Sequence, residues 1–155
     1  HEPVLFFEHK ALYGVEGDVG DPGAMLPLGR AIVHGSGGRL LVIGYSRPFH
    51  AAMEALRDME GDITFIDLAT IKPLDAETLM EHFSRVGKAL IVQDTPLQGS
   101  VGESVLRILS EAGEVHGRVR ISSACDMPIP ASGQLERQAL LSAAQIRAAA
   151  IALMA

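Results

Sequence analysis

A chain of 155 residues, 48% of them hydrophobic, is long enough to bury one ordinary core. Nineteen acidic residues against 13 basic ones give a net charge of −6, and no run of lysines or arginines forms the basic stripe of a non-specific nucleic-acid binder. No apolar run reaches the ~18 residues that cross a bilayer, the sequence opens without a signal-peptide pattern, and the single Cys125 has no internal disulfide partner, so a soluble, acidic, cytoplasmic domain is expected.

Residues 4–7 (VLFF) are a short run of strand-forming residues, which predicts a buried strand for which the chain supplies no upstream partner. Residues 14–29 hold five glycines and two prolines without periodicity, the pattern of a linker. The expected organisation is the tail of a preceding domain over 1–13, a linker over 14–29 and a folded domain over 30–155, as a fragment or a split subunit.

From residue 30 onward, strand and helix patterns alternate. Residues 31–33 predict the first strand; the glycine-rich turn before residue 40 suits a hairpin, so this strand is expected antiparallel to its successor. Residues 40–43 (LLVI) are apolar throughout, as a strand covered on both faces requires. Ser46 is placed to cap a helix with Pro48 early and Phe49, Met53 and Leu56 at helical spacing. A strand at 63–66 follows; then Asp75 caps a helix that buries Leu79, Met80 and Phe83 and stops at Gly87. Residues 89–92 predict another buried strand. Val101, Val105, Leu106 and Leu109 line a helix ended by Gly113, residues 119–121 predict the last strand, and Ser142 opens a terminal helix through Ile146, Ala150 and Leu153. This alternation implies a three-layer α/β/α sandwich around a mainly parallel five-stranded sheet with one antiparallel strand.

Few residues could carry chemistry. GSVG at 99–102, between a strand and a helix, is the best candidate phosphate cradle. It lacks the Lys-Ser/Thr ending of a P-loop and the third glycine of a dinucleotide fingerprint, and a tight strand-to-helix connection accounts for it better. The six histidines, at 1, 9, 34, 50, 82 and 116, never fall at ligand spacing, and zinc needs three or four convergent ligands. Gly44, Tyr45 and Ser46 loosely match a nucleophile elbow, but Pro48 stands where that motif needs glycine, which excludes a serine hydrolase. Cys125 reads as a buried or half-buried thiol. What remains is Tyr45, Asp67 and Asp94, with Gln93 and Thr95, at the carboxyl ends of predicted parallel strands, the edge where open α/β sheets place function. They form no recognisable acid–base pair.

Four blocks, in order, resemble one family. PVLFFEHKALY at 3–13 resembles the segment closing the pyrimidine-binding domain of beta subunits from thiamine-diphosphate-dependent 2-oxo acid dehydrogenases. PLGRA at 27–31 is similar to the approach to their C-terminal, transketolase-like domain. IDLATIKPLD at 66–75 is similar to the family's D-L-R-T-I-x-P-L-D signature, and DMPIP at 126–130, with Leu135 and Glu136, to its D-x-P-x-P…L-E segment. The resemblance spans nearly the whole chain and implies a pyruvate dehydrogenase, branched-chain or acetoin dehydrogenase type of enzyme. Such an enzyme decarboxylates a 2-oxo acid oxidatively and transfers the acyl group to lipoyl.

In that family the C-terminal domain serves assembly, which implies an alpha subunit, a second beta subunit and the lipoyl acyltransferase core as partners. The resemblance also implies thiamine diphosphate and magnesium in the complete enzyme. Neither is expected on this chain alone, because the family's G-D-G…N motif lies on the alpha subunit and its cofactor-contacting glutamate lies earlier in the beta subunit. No residue here is thus expected to be catalytic or to bind cofactor or metal; Tyr45, Asp67, Asp94 and Asp126 are expected at an interface or the active-site entrance. The sequence departs from the family pattern at Ala69 (arginine), Ser46 (glycine), Asp94 (glutamate) and Ser104 (glutamate, with Glu103 one place early). Those departures leave open an acetoin dehydrogenase or another transketolase-like enzyme. The rival class is a non-catalytic regulatory or interaction domain that kept the fold.

Overall fold

Five strands form one sheet in the order β1-β3-β2-β4-β5 in the computed structural model, which describes residues 3–155 apart from positions 19, 22, 24 and 117. The strands are β1 (Ile32–His34), β2 (Leu40–Gly44), β3 (Ile63–Asp67), β4 (Ala89–Val92) and β5 (Val119–Ser122). The helices are α1 (Ser46–Ala55), α2 (Ala76–Val86), α3 (Val101–Ala112), α4 (Gly133–Ala139) and α5 (Ala143–Met154). All strand pairs are parallel except β1–β3. Alternation along the strands splits the core in two. Leu40, Val42, Phe65 and Leu90 pack with Phe49 of α1 and Ile146 of α5, whereas Leu41, Ile43, Ile66 and Ile91 pack with Leu79 of α2 and Val105 of α3. This is the expected three-layer sandwich, with the expected single antiparallel strand.

The partner of that strand differs from expectation. β1 pairs with β3, not with its successor β2: Ile32 lies opposite Asp67 and His34 opposite Phe65. The connection after β1 passes over the start of β3 instead of closing a hairpin, and Gly37 marks the crossing. A Cβ on Gly37 would stand 2.1 Å from both Asp62 C and Ile63 N, so only glycine passes there. The buried Thr64 hydroxyl donates to Gly37 O at 2.7 Å and Arg39 N to Asp62 O at 3.0 Å, which pins the crossing in place. Moving two strands over requires roughly 10 Å, within reach of five residues.

Helix ends follow the predicted signals with one exception. Asp75 caps α2 and Gly87 ends it at φ 73; Ser142 and Gln145 form a reciprocal capping box on α5. Ser46 does not cap α1: Tyr45 holds the N-cap position, and Ser46 sits at φ 57, in the left-handed region. Serine can cap only from extended backbone, which the tight β2–α1 connection denies it here. Helix α4 carries no strong periodic signal and follows the DMPIP segment. Arg147 of α5 makes a two-pronged pair with Asp58 at 2.7 Å for each bond and also reaches Ala55 O at 3.1 Å, tying α5 to the end of α1.

The strand expected at residues 4–7 does not form: Phe6 is 85% and Phe7 88% exposed. A strand persists only where a neighbour takes its backbone hydrogen bonds, and among the described residues none lies beside it. The tail instead makes a short 3-10 turn at Lys10–Leu12, with the His9 ring accepting from Ala11 N at 3.2 Å. His1 and Glu2 of the expected tail, and positions 19, 22 and 24 of the expected linker, lie outside the described residues.

Candidate functional site

The carboxyl ends of β3, β2 and β4 stand side by side, because Gly44 pairs with both Asp67 and Val92. Tyr45, Asp67 and Asp94 are therefore brought to one edge, while Asp126 lies in the exposed segment that follows β5. Gly44 permits this close approach: a Cβ there would stand 2.7 Å from Val92 Cγ2. Since β1 runs antiparallel, its first residue also lies at this edge, so the chain enters the sheet where the parallel strands end.

Each edge residue is engaged locally. Asp67 Oδ1 accepts from Ala69 N at 3.1 Å and closes a turn in which Ala69 takes φ 48, while Leu68 N donates to Gly44 O at 2.9 Å. Tyr45 is half-buried against the core on the α2–α3 side. Asp94 pairs with Arg47 of α1 at 3.0 Å, linking the ends of β4 and β2. Both partners are partly solvated, so the pair contributes under about 1 kcal/mol. Neither Asp67 nor Asp94 hydrogen-bonds to a histidine or a second carboxylate among the described residues.

Gln93, fully buried, governs the next connection. Its amide oxygen accepts from Gly102 N at 2.9 Å, and its amide nitrogen donates to Thr95 O at 3.4 Å and Pro96 O at 3.2 Å. The partners are one backbone donor and two backbone acceptors, so only one amide orientation satisfies them. A Cβ on Gly102 would lie 2.7 Å from Gln93 Oε1, which accounts for glycine there. The Ser100 hydroxyl accepts from Glu103 N at 3.3 Å and the Glu103 carboxylate from Gly99 N at 2.6 Å. The Gly99, Ser100 and Gly102 N–H groups are thus spent on the protein itself, and a phosphate there would meet the like charge of the Glu103 carboxylate. GSVG is a helix cap.

The strongest carboxylate environment is that of Asp75, which is 5% exposed. Burial pushes its carboxyl up, but bonds from Ala31 N, Thr78 N and the Thr78 hydroxyl, with the nearby Arg30 charge, outweigh that and hold it below the usual carboxylate range. Capping was legible from its place before the helix; the bond to Ala31, 44 positions away in sequence, was not. The Arg47–Asp94 pair was likewise missed, an arginine in a first helical turn being a weak signal alone.

Cys125 is exposed rather than buried, because it lies in the open segment after β5, held by its own N–H to Ala139 O at 2.9 Å. Among the described residues no three His, Cys, Asp or Glu side chains converge as a metal site, and no helix is long and apolar enough to cross a membrane. Two surface clefts, one including His34, Met53 and Glu60 and the other Arg47, His50 and Arg57, are lined by none of Tyr45, Asp67, Asp94 and Asp126.

Residues 29–146 match the family described as transketolase, C-terminal domain. The chain is 39% identical over 114 residues to the 2-oxoisovalerate dehydrogenase subunit beta of Bacillus subtilis, covering 71% of this chain and 35% of that protein. It is 35% identical over 151 residues to the pyruvate dehydrogenase E1 component subunit beta of Cyanidium caldarium, covering 94% and 46%. It is 31% identical over 155 residues to the acetoin:2,6-dichlorophenolindophenol oxidoreductase subunit beta of Cupriavidus necator, covering 97% and 46%. The chain thus spans less than half the length of these relatives. A solved split-gene transketolase, described as an inactive beta4 tetramer, superposes with a TM-score of 0.73 at 24% identity, covering 88% of this chain and 45% of that one, a likeness of fold.

Proposed function

The chain belongs to the transketolase C-terminal-domain family, and from that premise, with beta subunits of 2-oxoisovalerate and pyruvate dehydrogenases among its relatives, we propose that it is the assembly domain of the beta subunit of a thiamine-diphosphate-dependent 2-oxo acid dehydrogenase. On this reading residues 1–13 end a preceding domain, 14–29 link it, and 30–155 form the domain that meets a second beta subunit, an alpha subunit and the lipoyl acyltransferase core. The complete enzyme decarboxylates a 2-oxo acid and passes the acyl group to lipoyl. Tyr45, Asp67, Asp94 and Asp126 lie at a subunit interface or the rim of the active-site entrance.

The observation that carries this reading is the state of the sheet's carboxyl edge. Its polar groups brace their own loops instead of converging as acid and base, while Met127, Ile129 and Leu135 in the stretch following Asp126 remain exposed. Such a surface suits contact between subunits, whose interfaces are large and apolar at their centres. The GSVG helix start does not suit the diphosphate of thiamine diphosphate, because the Gly99, Ser100 and Gly102 N–H groups are bonded within the chain and the Glu103 carboxylate sits beside them. No step of its chemistry is therefore assigned to this chain.

Sedimentation velocity tests the proposal. The chain should associate to a dimer or larger at high micromolar concentration, and Asp126→Arg or Met127→Arg, both at exposed positions, should weaken that association without changing the circular dichroism. A strict monomer, or indifference to both substitutions, overturns it. In isothermal titration, thiamine diphosphate with magnesium should give no binding heat; micromolar affinity would reverse the assignment of roles.

A further inference from the structure

The two carboxylate oxygens of Asp75 have different partners. Oδ1 accepts from Thr78 N at 3.1 Å, which is the helix cap; Oδ2 accepts from Thr78 Oγ1 at 2.8 Å and from Ala31 N at 3.0 Å. Ala31 is the residue before β1, at the start of the folded domain. Arg30 adds a longer contact, 3.5 Å to Asp75 Oδ1, and a hydrogen bond of 3.0 Å to Glu77 on α2. The preceding turn is closed by Arg30 N donating to Pro27 O at 3.2 Å, with Gly29 at φ 80. A Cβ on Gly29 would come within 3.0 Å of Pro73 Cγ, so the turn lies directly against the segment before α2. The PLGRA and PLD blocks, far apart in sequence, are thus one contact, and its buried centre is a single carboxylate. Leu26 and Leu28 are exposed, so apart from Ala31 against the core and Arg30 against α2 the stretch adds no large apolar anchor.

We propose that Asp75 is a positioning residue that latches residues 27–31 onto the start of α2 and so sets the direction in which the preceding chain leaves the domain. The latch lies at the carboxyl edge of the sheet, because β1 starts there. Its consequence for a preceding domain rests on the reading of residues 1–13 above; the latch itself does not, and the two fail separately.

Amide exchange of the full chain, followed by NMR at single residues, tests the latch. Asp75→Ser keeps an N-cap oxygen for Thr78 N but is too short to reach Ala31. It should raise the exchange rate of the Ala31 amide at least about tenfold, as losing a hydrogen bond to a charged acceptor predicts, while Thr78 and the rest of α2 keep their protection. A residue that merely capped the helix would leave Ala31 unchanged, and that result overturns the proposal. Should Asp75→Ser fail to fold, the unmodified chain decides: one carboxylate holds both amides, so Ala31 should be protected to within about tenfold of Thr78, and a freely exchanging Ala31 refutes the latch. A latch that behaves as described in a chain whose first 13 residues prove unrelated to any preceding domain leaves the latch standing and removes only its consequence.

Discussion

Replacing Gln93 by glutamate changes one amide to a carboxylate at constant shape, in a fully buried site with three backbone partners. The bond from Gly102 N, 2.9 Å in the native chain, survives and becomes charge-assisted, and the N-terminus of α3 favours the added charge. Those gains amount to about 1 kcal/mol each at most. Against them, the oxygen that replaces the amide nitrogen faces the carbonyls of Thr95 and Pro96 at 3.4 and 3.2 Å with no proton to share. Two lost bonds cost about 1 kcal/mol together, and burying an unpaired charge costs several more. The sum predicts a loss of about 3 kcal/mol at pH 7, or roughly 6–12 °C in Tm for a domain of this size. Protonation restores a donor, so the mutant carboxyl should titrate above the usual range. An acid with a raised folded-state pKa binds its proton more tightly in the fold, so the deficit should shrink as pH falls toward about 4.5. Urea melts at pH 7 and pH 5, each referenced to the native chain, measure both parts. A variant as stable as the native chain at pH 7, or one whose deficit ignores pH, would refute the amide orientation and the assigned burial.

Asp75→Ala removes a cap and leaves the Ala31 amide without its acceptor, which together predict a loss of about 2–4 kcal/mol at pH 7 in urea melts. Because the native carboxyl is held below its unfolded value, its ionisation-linked contribution is fully present above the unfolded value and is lost as pH falls through the lower folded-state value; the gap between the two proteins should therefore begin to narrow only below about pH 4. Gly37→Ala puts a methyl group into the backbone of Asp62 and Ile63, and should leave no folded population by circular dichroism. Ser46→Gly relieves a left-handed backbone and should raise stability by up to about 1 kcal/mol in the same melts.

From residue 30 onward the sequence by itself determined the five strands and helices α1, α2, α3 and α5 in order, their boundaries to within a residue or two, and the layered fold, though not helix α4. Those features rest on local signals: continuous apolar runs at 40–43 and 89–92, Asp75 and Ser142 before helical periodicity, and Gly87 after it. The family-like blocks were legible too, as strings of residues. Only the tertiary structure decided that β1 crosses to β3, because a turn's length does not say which strand start it passes; the backbone clash that forbids any Cβ at Gly37 exists only in the fold. It also decided that residues 4–7, fit for a strand by propensity, have no sheet to join. The edge site divides in the same way. Asp67 and Asp94 were placed by the rule that parallel strands present their carboxyl ends together, but their partners, Ala69 N and Arg47, are set by loop geometry. Asp75 is the clearest case: its cap follows from spacing along one helix, and its bond to Ala31 from two distant segments meeting across an antiparallel edge strand, which no local pattern encodes.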